Sequence, residues 1–235
     1  MWPDHFYLTE LGKGAYVIYA FVTVVVAVIV YQKLLSRLQT RALRFALLAA
    51  LTLPILLAPL WEVYRISMEA KRLCHEQAGM HIYRTVEADG FLGDSGIEIW
   101  SKRGFRYVES GGGDKMSRYT MQDGKVVHQR VSEFMSRYQS TVGDNNKVIG
   151  KYFSRSTDLV IDRQTQEVLG ELVTVFIYPG MLDKFSIGLT GMGSGFSPWH
   201  CGDEPPPGSE VLRLGGTDVV LATIKPSTTV KGETK

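Results

Sequence analysis

Two cysteines are the residues of this chain with the most defined chemistry. Cys74 and Cys201 are its only cysteines, and each has a histidine beside it, His75 and His200. In an oxidising compartment the thiols would form a disulfide, which stabilises by about 4 to 5 kcal/mol in the chain-entropy model. Two thiolates and two imidazoles could instead bind zinc, but structural zinc sites usually space paired ligands by about two to four residues. The pattern predicts the disulfide, with no metal.

The glycine-rich segment 188–209 is the second place where chemistry could occur. Gly191 to Gly195 contains a serine, but this serine is not central in a G-x-S-x-G motif, and no lysine stands where a P-loop needs one. His200, Asp203 and Glu204 could act as acid and base under this loop. A membrane-tethered hydrolase is therefore an alternative, although the sequence predicts no catalytic residue and no cofactor.

Two further groups could bind or react. Ser136, Arg137 and Tyr138 place a cation beside an aromatic ring, which could anchor a partner or pack on a sheet surface. Asp158 and Asp162 could serve as acid and base, but acids at strand ends are more often solvated.

Two apolar segments determine the compartment of all these residues. Residues 14–32 and 45–61 have no charged side chain, and a helix of about 20 residues crosses a hydrocarbon layer of about 30 Å. The loop between them, 33–44, has four cations and no acid: Lys33, Arg37, Arg41 and Arg44. Short loops rich in Lys and Arg stay cytoplasmic. We therefore predict a transmembrane hairpin, 14–61, with both termini on the outer side of the membrane.

A cleaved signal peptide and a buried hairpin of a soluble protein are the alternatives for these segments. Acids outnumber bases before the first segment, and no small-x-small cleavage site follows it. Pro54 and Pro59 each remove a helix donor from the second segment, so we expect a kink whose freed carbonyls bond the neighbouring helix or interfacial water. Neither segment has the ionisable residue that transport would need.

The charge of the chain restricts its partners. Its formal net charge is +2, and the loop 33–44 accounts for more than that, so the rest of the chain is close to neutral. Nucleic-acid binding needs a one-sided basic surface, which this composition lacks. We expect the lipid bilayer and other envelope or membrane proteins as partners, and no nucleic acid.

The remaining pattern predicts an α+β protein, with the transmembrane hairpin followed by a mainly antiparallel β domain. Residues 1–13 form a short outer tail, and 62–79 continue the second helix as a stalk that ends at Gly79. Strand-like alternation fills 80–224, and 225–235 form a polar tail.

Turn residues divide the β domain into strands. Asp123-Gly124 predicts a two-residue hairpin, and 163–166 joins strands in 151–162 and 167–178. Further expected elements are a strand through Ile97 and Ile99, a short helix at 181–187, and a last strand pair at 211–214 and 219–224. For 126–138 a helix competes with a continued strand, and the β-branched content favours the strand.

The chain also resembles uncharacterised bacterial inner-membrane proteins with a two-span anchor and an outer β domain. The resemblance covers most of 74–201, with Gln166 standing where a glycine would make the familiar turn. It implies a location in the bacterial inner membrane with both termini periplasmic, and it implies the cysteine pairing, but it implies no activity. The residues that carry it are Cys74, Ala78-Gly79, Ile82-Tyr83, Ser136-Arg137-Tyr138, Asp162, Thr165, Glu167 to Glu171, and Cys201. We therefore expect a non-catalytic envelope protein whose β domain mediates interaction or assembly, or, as a further alternative, a ligand-sensing accessory subunit.

Overall fold

The computed structural model describes residues 6–33, 40–190, 197–205 and 213–227. The chain divides into two compact units. The first unit comprises Met1–Glu76, Gly150–Phe153 and Phe176–Trp199; the second comprises Gln77–Ile149, Ser154–Val175 and His200–Lys235.

The described residues form five α-helices, a 3₁₀ turn at Gly113–Lys115 and twelve strands. The helices are α1 (Glu10–Lys33), α2 (Arg41–Glu76), α3 (Ile97–Ser101), α4 (Met181–Thr190) and α5 (Gly216–Thr223). The strands are β1 (Gly79–Ile82), β2 (Val86–Ala88), β3 (Gly90–Leu92), β4 (Tyr107–Ser110), β5 (Ser117–Gln122), β6 (Lys125–Arg130), β7 (Tyr138–Val142), β8 (Lys147–Gly150), β9 (Phe153–Asp162), β10 (Val168–Ile177), β11 (Trp199–Cys201) and β12 (Ile224–Pro226). Two long apolar helices followed by a mostly antiparallel sheet confirm the α+β prediction.

The helices α1 and α2 of the first unit form a hairpin. The rings of Tyr31 and Phe45 lie 5.6 Å apart near the connection, and farther from it the Tyr16 hydroxyl donates to the Leu56 carbonyl at 3.3 Å. Contacts that run in opposite directions along the two sequences make the helices antiparallel. Both helices are long and apolar enough to cross a membrane. Helix α2 continues without a break to Glu76, whereas the stalk was expected to end at Gly79, which instead begins β1.

Pro59 leaves one carbonyl of α2 without its helical donor, and α1 supplies a replacement. The missing N–H would have bonded the carbonyl four residues earlier, on Ile55. The Tyr19 hydroxyl donates to this oxygen at 2.7 Å. The prediction that a freed carbonyl would be bonded by the neighbouring helix is therefore confirmed at this position.

A ten-stranded mixed sheet lies mainly in the second unit. Its strand order is β1-β10-β9-β7-β3-β4-β5-β6, with β8 beside β9 and β11 beside β10. The sheet is mostly antiparallel, as predicted, but β3 runs parallel to both β4 and β7. A separate parallel pair joins β12 to β2. The core centres on Phe91, whose ring meets those of Trp100 and Phe105 edge to face at 4.7 and 5.5 Å.

Local turn chemistry predicted both hairpins correctly. Asp123 and Gly124 have φ of 49° and 74° and join β5 to β6 in the expected register, which is the geometry that such turns need. The second hairpin joins β9 and β10. The continued strand expected over 126–138 is wrong in its second half, because β6 ends at Arg130 and residues 131–137 form a loop.

The strand expected through Ile97 and Ile99 is instead helix α3. The Asp94 carboxylate accepts the Gly96 N–H at 2.8 Å and the Trp100 indole N–H at 2.7 Å. This contact bends the chain into a helical turn, and it buries Ile97 and Trp100 at a spacing of three residues.

The last strand pair is wrong as well. Residues 211 and 212 lie outside the described residues, and 219–223 belong to helix α5. The Gly215 N–H donates to the Asp218 carboxylate at 2.8 Å, which satisfies an otherwise unbonded donor at the start of the helix. Val219 and Val220 are both buried in the core, so tertiary packing outweighs their preference for strand. The short helix expected at 181–187 is confirmed as α4.

The helical assignment of α3 has a direct test. In a strand Ile97 and Ile99 would share one face, whereas in the structure Ile97 is 0% exposed and Ile99 is 60% exposed. Ile97→Ala should lower the free energy of unfolding by about 2 to 5 kcal/mol. Ile99→Ala should change it by less than about 0.5 kcal/mol. Urea unfolding of both variants measures the difference, and equal effects would contradict the helix.

Candidate protein-binding surface

The two cysteines form the predicted disulfide. Cys74 lies in the last turn of α2 and Cys201 ends β11. Both are disulfide-bonded and neither is free. A zinc site would need these sulfurs as thiolates, so the bridge removes the sulfur ligands of that alternative. Among the described residues no group of three potential metal ligands comes together.

Three of the four cations of the loop 33–44 lie in the helices of the hairpin, next to the segment that joins them. Lys33 is the last residue of α1, Arg41 is the first residue of α2, and Arg44 follows in the first turn of α2. Arg37 lies outside the described residues.

The residues of the hydrolase alternative come together only in part. Gly191 to Gly195 lie outside the described residues. The His200 Nε2 atom lies 3.4 Å from the Asp203 carboxylate, and the Arg213 Nε atom lies 4.0 Å from the same oxygen. Glu204 is exposed beside them. A carboxylate that lies between an imidazole and a guanidinium is an arrangement that suits fixing a loop.

A buried carboxylate organises the most unusual part of the second unit. Glu109, on β4, is 0% exposed. Its Oε1 atom accepts from the Arg118 guanidinium at 2.8 and 2.9 Å and from the Met135 N–H at 3.2 Å. Its Oε2 atom accepts from the Ser136 N–H at 2.9 Å and the Ser136 hydroxyl at 2.6 Å. Three of these five hydrogen bonds come from the loop 131–137, so this acid serves the loop.

These contacts keep Glu109 ionised despite its burial. Burial alone would raise the pKa of this carboxyl, but the hydrogen bonds from Ser136, Arg118 and Met135 together outweigh it and hold the pKa below its usual range. Charged hydrogen bonds are among the stronger ones in proteins. If the loop detached, Glu109 would lose these hydrogen bonds and its charge would remain buried without partners. Detachment of the loop is therefore costly in free energy.

A second set of charges holds the other end of the loop. The Arg163 guanidinium donates to the Ser136 carbonyl at 2.7 Å and lies 5.6 Å from the centre of the Phe134 ring. The Arg137 guanidinium donates to the buried Asp162 at 2.7 and 2.9 Å, and it holds the pKa of that carboxyl below its usual value. Arg137 also lies over the Tyr138 ring at 5.5 Å.

The loop presents an apolar side chain to solvent from this fixed frame. Met135 is 68% exposed although the backbone on both sides of its α-carbon is bonded to the core. Phe134 is half-buried under Arg163, and the Arg137 side chain is partly exposed. We call Phe134, Met135, Arg137, Tyr138 and Arg163 the loop surface. It combines residue types that are enriched where proteins meet: Met, Arg and aromatic residues.

Sequence reasoning found one half of this arrangement. It selected Ser136, Arg137 and Tyr138, but it missed Glu109 and its partner Arg118. Glu109 and Arg118 lie directly opposite each other in the β4–β5 ladder, on either side of the glycine run 111–113. Reading that run as the centre of a hairpin would have paired the two charges.

A hydroxyl and an imidazole also meet on the neighbouring hairpin. The His128 Nε2 atom lies 2.8 Å from the Ser117 Oγ atom, and Tyr119 stacks on the imidazole at 5.0 Å. A nucleophile and base normally need a third group that orients the base, whereas in the described strands the imidazole contacts Ser117 and Tyr119. We interpret the pair as packing between paired strands.

Comparison with protein-family models, with curated proteins and with solved structures gave no match to the chain. The geometry of the loop surface therefore carries the functional argument.

The role of Glu109 predicts both a stability loss and its pH dependence. Glu109→Gln should lower the free energy of unfolding by about 3 kcal/mol at neutral pH, because Arg118 loses its buried partner. The pKa of Glu109 is lower in the folded chain than the usual unfolded value of about 4.3, so its contribution is complete above that pH. The contribution is lost as the pH falls through the folded pKa. The difference in the free energy of unfolding between the parent and Glu109→Gln should therefore become smaller at acidic pH.

Urea unfolding at neutral and at acidic pH measures this gap. Glu133→Gln is the matched control, because Glu133 is an exposed glutamate of the same loop, and exposed substitutions usually change stability by less than about 0.5 kcal/mol. A difference that is constant with pH would mean that the pKa of Glu109 is the same in the folded and unfolded chains, which would contradict its role as an ionised carboxylate stabilised by the loop.

Proposed function

We propose that this chain is a membrane-anchored envelope protein without catalysis of its own, whose β domain binds another envelope or membrane protein through the loop surface. The helices α1 and α2 are the anchor, in the bacterial inner membrane, with the β domain on the periplasmic side. One observation carries the proposal: a buried, ionised glutamate is used to hold an irregular loop that exposes a methionine.

The energetics of Glu109 support a binding role for the loop. Burying a charge is costly, and an apolar residue of similar volume often stabilises a fold as well or better. The buried charge does, however, order the backbone of the loop before any partner binds. Binding by an ordered loop avoids the entropy loss of ordering it during association, which increases affinity for a given contact area. A loop that served only to connect β6 to β7 would not need this arrangement.

The surface of the helical hairpin supports the anchor. Val17, Ile18 and Phe21 of α1 are exposed, as are Leu51, Leu53 and Ile55 of α2. Soluble monomers rarely expose apolar patches of this extent. A bilayer would cover them, and the cations that flank the connection favour its retention in the cytoplasm.

A pair of reporter fusions tests the orientation. Alkaline phosphatase, which needs disulfides and is active in the periplasm, should be active when fused after Lys235 and inactive when inserted at Arg37. The four cations of 33–44 resist transfer across the bilayer, which is the physical reason for the difference. The opposite pattern of activity would contradict the proposed orientation. Activity from neither site, with the fusions present in the membrane fraction, would contradict the periplasmic location of the β domain.

The loop surface is tested by crosslinking in cells. A photoreactive side chain at position 135 should capture a partner protein. Met135→Asp, in a chain that carries the photoreactive group at Arg137 instead, should reduce this capture about tenfold or more, because hot-spot residues contribute about 2 kcal/mol or more to binding. Yields are measured by immunoblot and the partner is identified by mass spectrometry.

Two matched controls separate binding from other causes. Val148→Asp places the same charge at an apolar residue of β8 that is also exposed, and it should leave capture unchanged. Joint alanine substitution of His200, Asp203 and Glu204 should leave the cellular phenotype intact, whereas replacing both cysteines should impair it. If the joint alanine substitution impaired the cellular phenotype and replacement of the cysteines did not, the hydrolase alternative would be favoured.

A further inference from the structure

Helix α4 has an apolar stripe on its exposed face. Met181, Phe185 and Leu189 are 61%, 62% and 73% exposed. Each is four positions from the next in sequence, so the three side chains lie in one row along the helix. A surface helix of a soluble domain normally presents polar residues there.

The opposite face of α4 is fixed to the start of α1. Asp183 is buried, and its carboxylate accepts the Thr9 N–H at 3.1 Å and the Thr9 hydroxyl. The Ser186 hydroxyl lies 3.3 Å from the Leu11 carbonyl. A Cβ on Gly12 would lie 2.2 Å from the Asp183 carboxylate, so only glycine allows this approach. The apolar segment 14–32 begins directly after these contacts.

The first residue of α4 is fixed to α2 at the corresponding position. The Met181 N–H donates to the Glu62 carboxylate at 2.8 Å, and the Tyr152 hydroxyl donates to the same carboxylate. Glu62 directly follows Trp61, the last residue of the apolar segment 45–61. The Trp61 ring is exposed and stacks on Tyr64 at 5.5 Å. Tryptophan and tyrosine are enriched where a membrane meets water.

These contacts place α4 at one level of the first unit. On α1 it is bonded where the apolar segment begins, and on α2 where the apolar segment ends. That level is the outer boundary of the hydrocarbon layer in the anchor proposed above. Val17, Ile18 and Phe21 of α1 are also exposed, and they lie in the apolar segment that begins at this level.

We propose that α4 is a third membrane-contacting element, which lies at the periplasmic boundary of the bilayer with Met181, Phe185 and Leu189 among the lipid acyl chains. This inference rests on the proposed membrane anchor. Lipid fits the stripe better than a protein partner does, because the same level of α1 and α2 would already be surrounded by lipid. Lys184, the cation of α4, lies 5.4 Å from the centre of the Tyr152 ring, and a lysine at this boundary can reach the headgroups.

Lipid crosslinking tests the proposal on the full chain in vesicles of phosphatidylethanolamine and phosphatidylglycerol. A photoreactive phenylalanine analogue replaces Phe185 in one variant and Leu189 in a second. After irradiation, the mass of the intact protein should increase by that of one phospholipid in both. The same analogue at Phe21, 70% exposed in α1, is the positive control. At Tyr83, an aromatic of the second unit that is 61% exposed, it is the matched negative control.

The positions separate the two proposals. Lipid adducts at 185, 189 and 21, with none at 83, support the inference. An adduct at 21 alone leaves the anchor intact and overturns the inference, as does crosslinking of 185 or 189 to a second copy of the chain or to an added protein in place of lipid. If position 21 gives no lipid adduct, the proposed membrane anchor is wrong, and the inference is wrong with it.

Discussion

The ionised carboxylate of Glu109 is the constraint on which the second unit depends. Its position on β4 places it opposite Arg118 on β5, and its remaining lone pairs face the loop 131–137. Because a buried charge must keep its donors, the loop, β4 and β5 share one set of hydrogen bonds. A segment without regular secondary structure is thereby bonded to the strands beside it. The backbone that carries the exposed residues of the loop is therefore held in place.

The first unit uses acids in the same way on a different element. Asp183 of α4 accepts donors from the start of α1, and Glu62 of α2 accepts the first N–H of α4. A ten-residue helix is too short to be stable alone in water. Its position is set by these carboxylates and by the buried face that includes Leu182. In each unit, carboxylates therefore fix the position of a segment, the loop 131–137 or helix α4, that local sequence preference alone would not determine.

The sequence predicted those features that depend on neighbouring residues. Uncharged segments of helix length, the Asp123-Gly124 turn and the hairpin around 163–166 each need only local chemistry, and all three were recovered. The helix α3 was missed because its geometry depends on Asp94 accepting the Trp100 indole, a contact that alternation of apolar residues does not report.

Longer-range features could not be read from the chain in the same way. Helix α4 was expected, but its packing on α1 joins residues 174 positions apart. The candidate site divides likewise: Arg137 and Tyr138 were visible as neighbours, whereas Glu109 becomes part of the site only through sheet pairing. Buried acids of this kind look like ordinary surface acids in a sequence, since their donors come from distant segments.

The bond between Tyr19 and the Ile55 carbonyl makes α1 and α2 interdependent. In a nonpolar medium an unbonded carbonyl costs several kcal/mol, so α2 in isolation would carry this defect at the turn that precedes Pro59. The tyrosine hydroxyl of α1 would equally lack an acceptor. Each helix thus completes the polar bonding of the other, which favours their entry into an apolar phase as a preformed pair over entry one after the other.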